Sequence, residues 1–218
     1  MIACDLTLAE MRAALAPHIS QAAAFDGWSH AAVDAAAEAL GIPEASARIA
    51  FPGGAMDMIA AWITSIDAAM AEALPASRLS NLPIRERIRR LVEFRLDAIA
   101  PHREALRRAL SIMAMPQNVG KALQLGWHSA DAMWRLAGDV ATDYNHYSKR
   151  AILGSVYAAT LSVMVSDDSE GLTDTRAFLA RRIDGVMRFE KAKARLLKPA
   201  DEMFSPARFF GRLRYPAR

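Results

Sequence analysis

From Leu8 onward, apolar residues recur every three or four positions along nearly the whole chain. Leu8, Met11, Leu15 and Ile19 form the first stripe, which Ala22 to Phe25 continue until Asp26-Gly27 interrupts it. A period of this kind predicts an amphipathic helix. Ser29 is placed to cap a second helix, which runs to Leu40 and stops at Gly41. Pro43-Glu44 opens a short third helix, since proline fits an early helical position. FPGG at 51–54 predicts a turn, and a fourth helix follows over about 55–74 with Met58, Trp62, Ile66 and Met70 on one stripe. Residues 75–83, bounded by prolines, read as a loop. Ile84, Ile88, Leu91, Phe94 or Arg95, and Ala98 describe a fifth helix that ends before Pro101. Residues 102–115 form a sixth, closed by Pro116-Gln117-Asn118, and about 119–137 a seventh, ended by Gly138. The eighth is long, about 142–165, with SDDSEG at 166–171 as the next loop. The ninth spans 173 to about 198, where Pro199 breaks it. Strand patterns are nearly absent. The expectation is one all-α domain: residues 1–74 as a helix-turn-helix-like part plus the start of helix four, 75–198 as the rest of the bundle, and 199–218 as an amphipathic appendage.

A chain of 218 residues with 53% apolar and 23% charged side chains is globular in composition and long enough to bury a core. It has no apolar run near the roughly 18 residues that a membrane-spanning helix needs. The first residues, MIACDLTLAEMRAALAP, carry Asp5 and Glu10 and lack a basic n-region, so they resemble neither a secretory signal nor a transit peptide. Cys4 stands alone, which rules out an internal disulfide or a cysteine zinc site and suits a reducing cytoplasm.

Charge is distributed unevenly. Residues 1–75 carry two basic and nine acidic side chains, a balance of −7, whereas residues 176–218 carry twelve basic and four acidic, a balance of +8. A basic C-terminal part points to an anionic partner, nucleic acid or lipid. The N-terminal order of helices and turns, through VDAAAEALGIPEASARIAFPGGAMDMIAAW, resembles the start of a TetR-type regulator. In that family the short third helix reads the major groove. Here it is Glu44 to Ala50, with one arginine (Arg48), one acid and several alanines. Phosphate contacts dominate DNA affinity, so a module of net −7 would repel the duplex. A TetR-shaped fold without nucleic-acid binding is expected, with a ligand-responsive transcriptional regulator as the alternative.

One stretch, MWRLAGDVATDYNHYSKR at 133–150, gathers Asp139, Asp143, Tyr144, His146, Tyr147, Ser148, Lys149 and Arg150. Asp143 and His146, three apart, match half of a di-iron motif, but no other acid precedes a histidine by three. Tyr144 leads to Ser148 rather than to a lysine four on, and no phosphate loop, dinucleotide fingerprint or nucleophile elbow is present. No catalytic residue, metal site or cofactor is therefore assigned. Thr142 or Asp143 can cap the eighth helix, yet capping leaves the tyrosines, histidine and cations unexplained. Aromatics beside charges on a helix suit a docking surface.

These residues carry a family resemblance. MPQNVGKALQLGWHSADAMWRLAGDVATDYNHYSKRAIL at 115–153, GW at 27–28, RALSIMAMPQN at 108–118 and TRAFLARRID at 175–184 closely resemble the lipid-binding accessory proteins of ubiquinone biosynthesis, the Coq-nine family. The resemblance implies a TetR-like helical bundle, often dimeric, that binds isoprenoid lipids and is no enzyme. It implies a peripheral hold on the membrane by a C-terminal amphipathic helix, and presentation of aromatic isoprenoid intermediates to a pathway hydroxylase. The family's docking surface for that hydroxylase matches Met133, Asp143, Tyr147 and Arg150, and members commonly have tryptophan where this chain has His146.

The methionines and apolar stripes of helices four to eight supply candidates for a lipid pocket: Met58, Trp62, Ile66, Met70, Leu91, Met113, Met115, Leu123, Trp127, Trp134, Tyr157, Leu161 and Met164. Met133 belongs to the same stripes, and core filling is the competing role for each. Gly154, Ala158 and Ser162 allow close helix approach, in a dimer seam or in ordinary packing. In the tail, Met203, Phe204, Ala207, Phe210 and Leu213 fall on one side of a helical wheel, with Arg208 and Arg212 on the other. With Phe209, this pattern suits the headgroup boundary of an anionic bilayer, each cation adding about 1 kcal/mol. The competing role is that Phe209 and Phe210 fold back onto the core. The expected partners are isoprenoid quinone intermediates, phospholipid, the hydroxylase, a membrane surface and a second copy of the chain. The expected place is the cytoplasmic face of a bacterial membrane.

Overall fold

The computed structural model describes the backbone of residues 6–139 and 144–196, and side chains within 6–139 and 146–188. Asp143 and the tail candidates Met203, Phe204, Arg208, Phe209, Phe210, Arg212 and Leu213 lie outside the described residues. Among those described, the elements are helical throughout: α1 (Leu8–Asp26), α2 (His30–Leu40), α3 (Glu44–Ile49), α4 (Ala55–Ala73), α5 (Ala76–Leu79), α6 (Ile84–Ile99), α7 (Arg103–Met113), α8 (Val119–Leu136), α9 (Tyr144–Met164) and α10 (Thr173–Leu196). Short 3-10 turns at Ala100–His102 and Glu170–Leu172 precede α7 and α10. The chain divides into two compact units, Met1–Leu179 and Ala180–Arg218. Residues 180–196 of the second continue α10.

Local chemistry sets the helix ends. Thr7 and Glu10 close a reciprocal capping box at the start of α1, which the apolar stripe alone does not reveal. Gly41 adopts the left-handed conformation after α2, and the amide of Ile42 donates to the Ala37 carbonyl at 2.9 Å. Ser29 does stand at the N-cap of α2, but its hydroxyl turns back to the Asp26 carbonyl at 3.0 Å. The loop expected over 75–83 contains the single turn α5, whose Leu79 is buried.

Helix α1 packs on α4, and α2 and α3 pack on α1 and on each other, with Leu15, Ile19, Val33, Ala36, Ala47 and Phe51 wholly or almost wholly buried. Trp28 fastens this part to the bundle: its indole N–H donates to the Ala105 carbonyl at 3.0 Å, and its ring lies 5.4 Å from that of Trp62. Asp57, at the start of α4, pairs with Lys121 of α8 at 2.5 Å. Helices α8 and α9 are neighbours, and Gly154 faces α8: a β-carbon there would lie 3.9 Å from the Ala130 Cβ and the Gly126 carbonyl oxygen, an ordinary packing distance.

Candidate functional site

Helices α4, α6, α7, α8 and α9 enclose a cavity of about 630 Å³, within the usual range of small-molecule sites. Ile59, Trp62, Ile63 and Ile66 of α4 supply one wall, and Leu106, Leu110 and Met113 of α7 another. Val119, Leu123 and Trp127 of α8 face Ala151, Ser155, Ala158 and Leu161 of α9. The lining is almost wholly apolar. Leu123 is 70% and Val119 41% exposed although both line the cavity, so they mark its mouth.

Of the expected lipid-pocket residues, Trp62, Ile66, Met113, Leu123, Trp127, Tyr157 and Leu161 line this cavity. Met58, Met70, Leu91 and Met164 do not: they are 0–1% exposed and fill the core between helices. Met115 is 44% exposed beyond the end of α7. Trp134 points away, donating its indole N–H to the Lys149 carbonyl at 3.0 Å while the Lys149 ammonium sits 5.3 Å from its ring centroid. A helical stripe identifies the buried face of each helix, but not which part of that face meets an empty volume.

The cavity wall also holds polar groups. Arg95 of α6 is 1% exposed and pairs with Asp67 of α4. Its Nε donates to the Tyr157 hydroxyl at 2.9 Å and its Nη2 to the Ser129 hydroxyl at 3.2 Å. Ser129 in turn donates to Asp67 Oδ2 at 3.1 Å. Burial alone would disfavour the Arg95 charge, but the contacts with Tyr157 and Asp67 prevail and hold its pKa above the ordinary value. The sequence pattern places Arg95 on the apolar stripe of α6, four residues after Leu91, but gives no sign of its partners Asp67 and Ser129.

The docking candidates separate. Tyr147 is 62% exposed, with its ring 6.0 Å from Trp127 and 5.1 Å from His146, which is half-buried. Met133 is fully buried, and Arg150 is 2% exposed. The expectation that these two face a partner is corrected: Met133 is core, and Arg150 is held inside by Asp131 at 2.5 Å, Asp139 at 3.1 Å and the His146 carbonyl at 3.0 Å. Among the described residues, no three metal-ligating side chains are gathered, and no helix is long and apolar enough to cross a membrane.

Comparison with known proteins places this architecture. A crystal structure of a TetR transcriptional regulator from Nitrosomonas europaea superposes with a TM-score of 0.65 over 82% of this chain and 98% of that one, at 22% identity. That likeness establishes the fold. Residues 119–190, which contain α8 and α9, match the COQ9 family model. The chain is 35% identical over 168 residues to the mitochondrial ubiquinone biosynthesis protein COQ9 of Rattus norvegicus, covering 74% of this chain and 54% of that protein. It is 33% identical over the same length to that of Homo sapiens, covering 74% and 52%. The chain thus spans about half the length of the curated relatives it matches. Residues 119–190 match the COQ9 family, and the chain resembles the COQ9 proteins of ubiquinone biosynthesis, carried on an all-α, TetR-like fold.

Proposed function

We propose that this protein is a non-enzymatic lipid carrier of ubiquinone biosynthesis: it takes an aromatic isoprenoid intermediate into the α4–α9 cavity and presents it to a pathway hydroxylase at the membrane. The observation that carries this reading is the cavity itself. An apolar volume of about 630 Å³ with a mouth rimmed by exposed Val119 and Leu123 suits a long hydrocarbon drawn from a bilayer. Likeness to the ubiquinone biosynthesis proteins COQ9 supports the choice of pathway. Tyr147 and His146 on α9, beside Trp127, are the aromatic edge offered to the hydroxylase, and the basic tail holds the chain on the inner face of a bacterial membrane, as a homodimer.

The regulator alternative is disfavoured by charge. Arg48, the one cation of α3, pairs with Asp34 of α2, leaving little positive potential for a phosphate backbone. The test is mass spectrometry of lipid extracted from the purified full chain, alongside co-sedimentation with anionic vesicles against a chain ending at Lys198. A retained isoprenoid and tail-dependent sedimentation are expected; repeated extracts free of lipid would sink the carrier reading.

A further inference from the structure

The apolar cavity has a buried polar cluster in its wall, and among the described residues one donor of that cluster has no acceptor. Arg95, Ser129 and Tyr157 contribute to the wall and are 1%, 1% and 6% exposed, whereas the mouth at Leu123 is 70% exposed. Within this cluster, Asp67 accepts from Arg95 through Oδ1 and from Ser129 through Oδ2, and Ser129 accepts from Arg95 Nη2. These three side chains form a closed circuit.

Tyr157 stands at its edge. Its oxygen accepts from Arg95 Nε at 2.9 Å, and the guanidinium lies 4.9 Å from the centre of its ring. A phenol has one proton to donate as well as lone pairs to fill. Among the described residues, no group accepts that proton. A buried donor left unmade costs about 1–3 kcal/mol, and a neighbouring cation that polarises the oxygen makes the phenol a stronger donor. Because Asp67 already balances the Arg95 charge, the site is neutral overall and favours a neutral acceptor over a carboxylate.

We propose that the Tyr157 hydroxyl donates a hydrogen bond to a carbonyl or ether oxygen of a lipid bound in this cavity. Trp62, which lines the cavity and contacts Trp28, offers a flat apolar surface for an unsaturated ring. The inference rests on the lipid-carrier reading and adds to it a residue and a chemical group.

The experiment titrates the full chain by calorimetry with two probes of matched chain length, a farnesyl-substituted 1,4-benzoquinone and the hydrocarbon farnesene. Tyr157→Phe removes the donor while keeping the ring. The expected result is a roughly tenfold loss of quinone affinity with farnesene affinity unchanged, the size of one hydrogen bond. Farnesene binding also reports that the variant remains folded. Independently of any variant, the infrared spectrum of carbonyl-labelled quinone on the wild-type chain should show one C=O stretch lowered relative to hydrocarbon solvent. An unshifted carbonyl, or quinone affinity indifferent to Tyr157→Phe, would overturn the Tyr157 assignment and leave the carrier reading standing. Failure of both probes to bind the wild-type chain would overturn both.

Discussion

Arg150 and Asp139 form an ion pair of 3.1 Å in which the side chains are only 2% and 5% exposed. Asp131 adds a second carboxylate to the same guanidinium at 2.5 Å, so α8, the residues after it and α9 are fastened at one buried point. Breaking a buried pair strands a charge. Arg150→Ala should therefore cost about 3–5 kcal/mol of unfolding free energy. Arg135 also pairs with Asp131, at 2.8 Å, but is 73% exposed, and Arg135→Ala should cost less than about 1 kcal/mol. Urea denaturation of the two variants checks the contrast, and equal midpoints would contradict it.

That pair shows where sequence reading stops. Helix positions were legible because period, prolines and glycines act locally: α6 begins at Ile84 and α8 at Val119, as their patterns predict. The TetR-like order of α1–α4 was legible for the same reason. The burial of Arg150 was not, since it depends on Asp131 and Asp139 arriving from α8 and the residues after it, which no spacing rule encodes. Nor was the division of the methionines: Met58 of α4 and Met113 of α7 share a residue type, yet one is core and the other cavity wall. Only tertiary placement separates them.

The turn after α8 rests on Gly138, whose φ of +88° is a conformation that side chains with a β-carbon rarely adopt. A β-carbon there would also lie 3.1 Å from Arg87 Nη1, the nitrogen that donates to the Ala137 carbonyl at 2.7 Å. Gly138→Ala should lose about 1–2 kcal/mol, from backbone strain with some displacement of Arg87. Gly126→Ala, at a helical position with open space around it, should instead gain up to about 1 kcal/mol. Thermal melts of both variants report the opposite signs.

Asp167 gives the fold an acid-sensitive clasp at the start of α10. It is 4% exposed and accepts from the amide of Ser169 at 2.9 Å, the amide of Thr175 at 2.8 Å and both hydroxyls at 2.5 Å. Burial alone would raise its pKa, but the hydrogen bonds from Ser169 and Thr175 outweigh it and hold the carboxyl far below the ordinary range. A carboxyl whose folded pKa is depressed stabilises the fold fully above its unfolded value, about 3.9. That contribution falls away as pH drops from there toward the folded value. Asp167→Asn should be less stable than wild type at pH 7 and should lack this part of the acid slope. Urea midpoints measured from pH 7 down to the acid transition should converge; parallel curves would mean that Asp167 carries no linked proton.

Filling the cavity separates binding from stability. Gly126 belongs to the wall, and a β-carbon on it would meet nothing within 4 Å. Leucine there projects into the space a hydrocarbon would occupy, while replacing a helical glycine with a good helix former favours α8 by about 0.5–1 kcal/mol. Gly126→Leu should therefore melt no lower than wild type yet bind isoprenoid at least tenfold more weakly, an expectation read by titrating one preparation for both properties. A variant that is stable and still binds at full strength would place the lipid outside the α4–α9 cavity. The exposed mouth residues Val119 and Leu123 would then be the next surface to alter, because they are the large apolar side chains that both line the cavity and reach solvent.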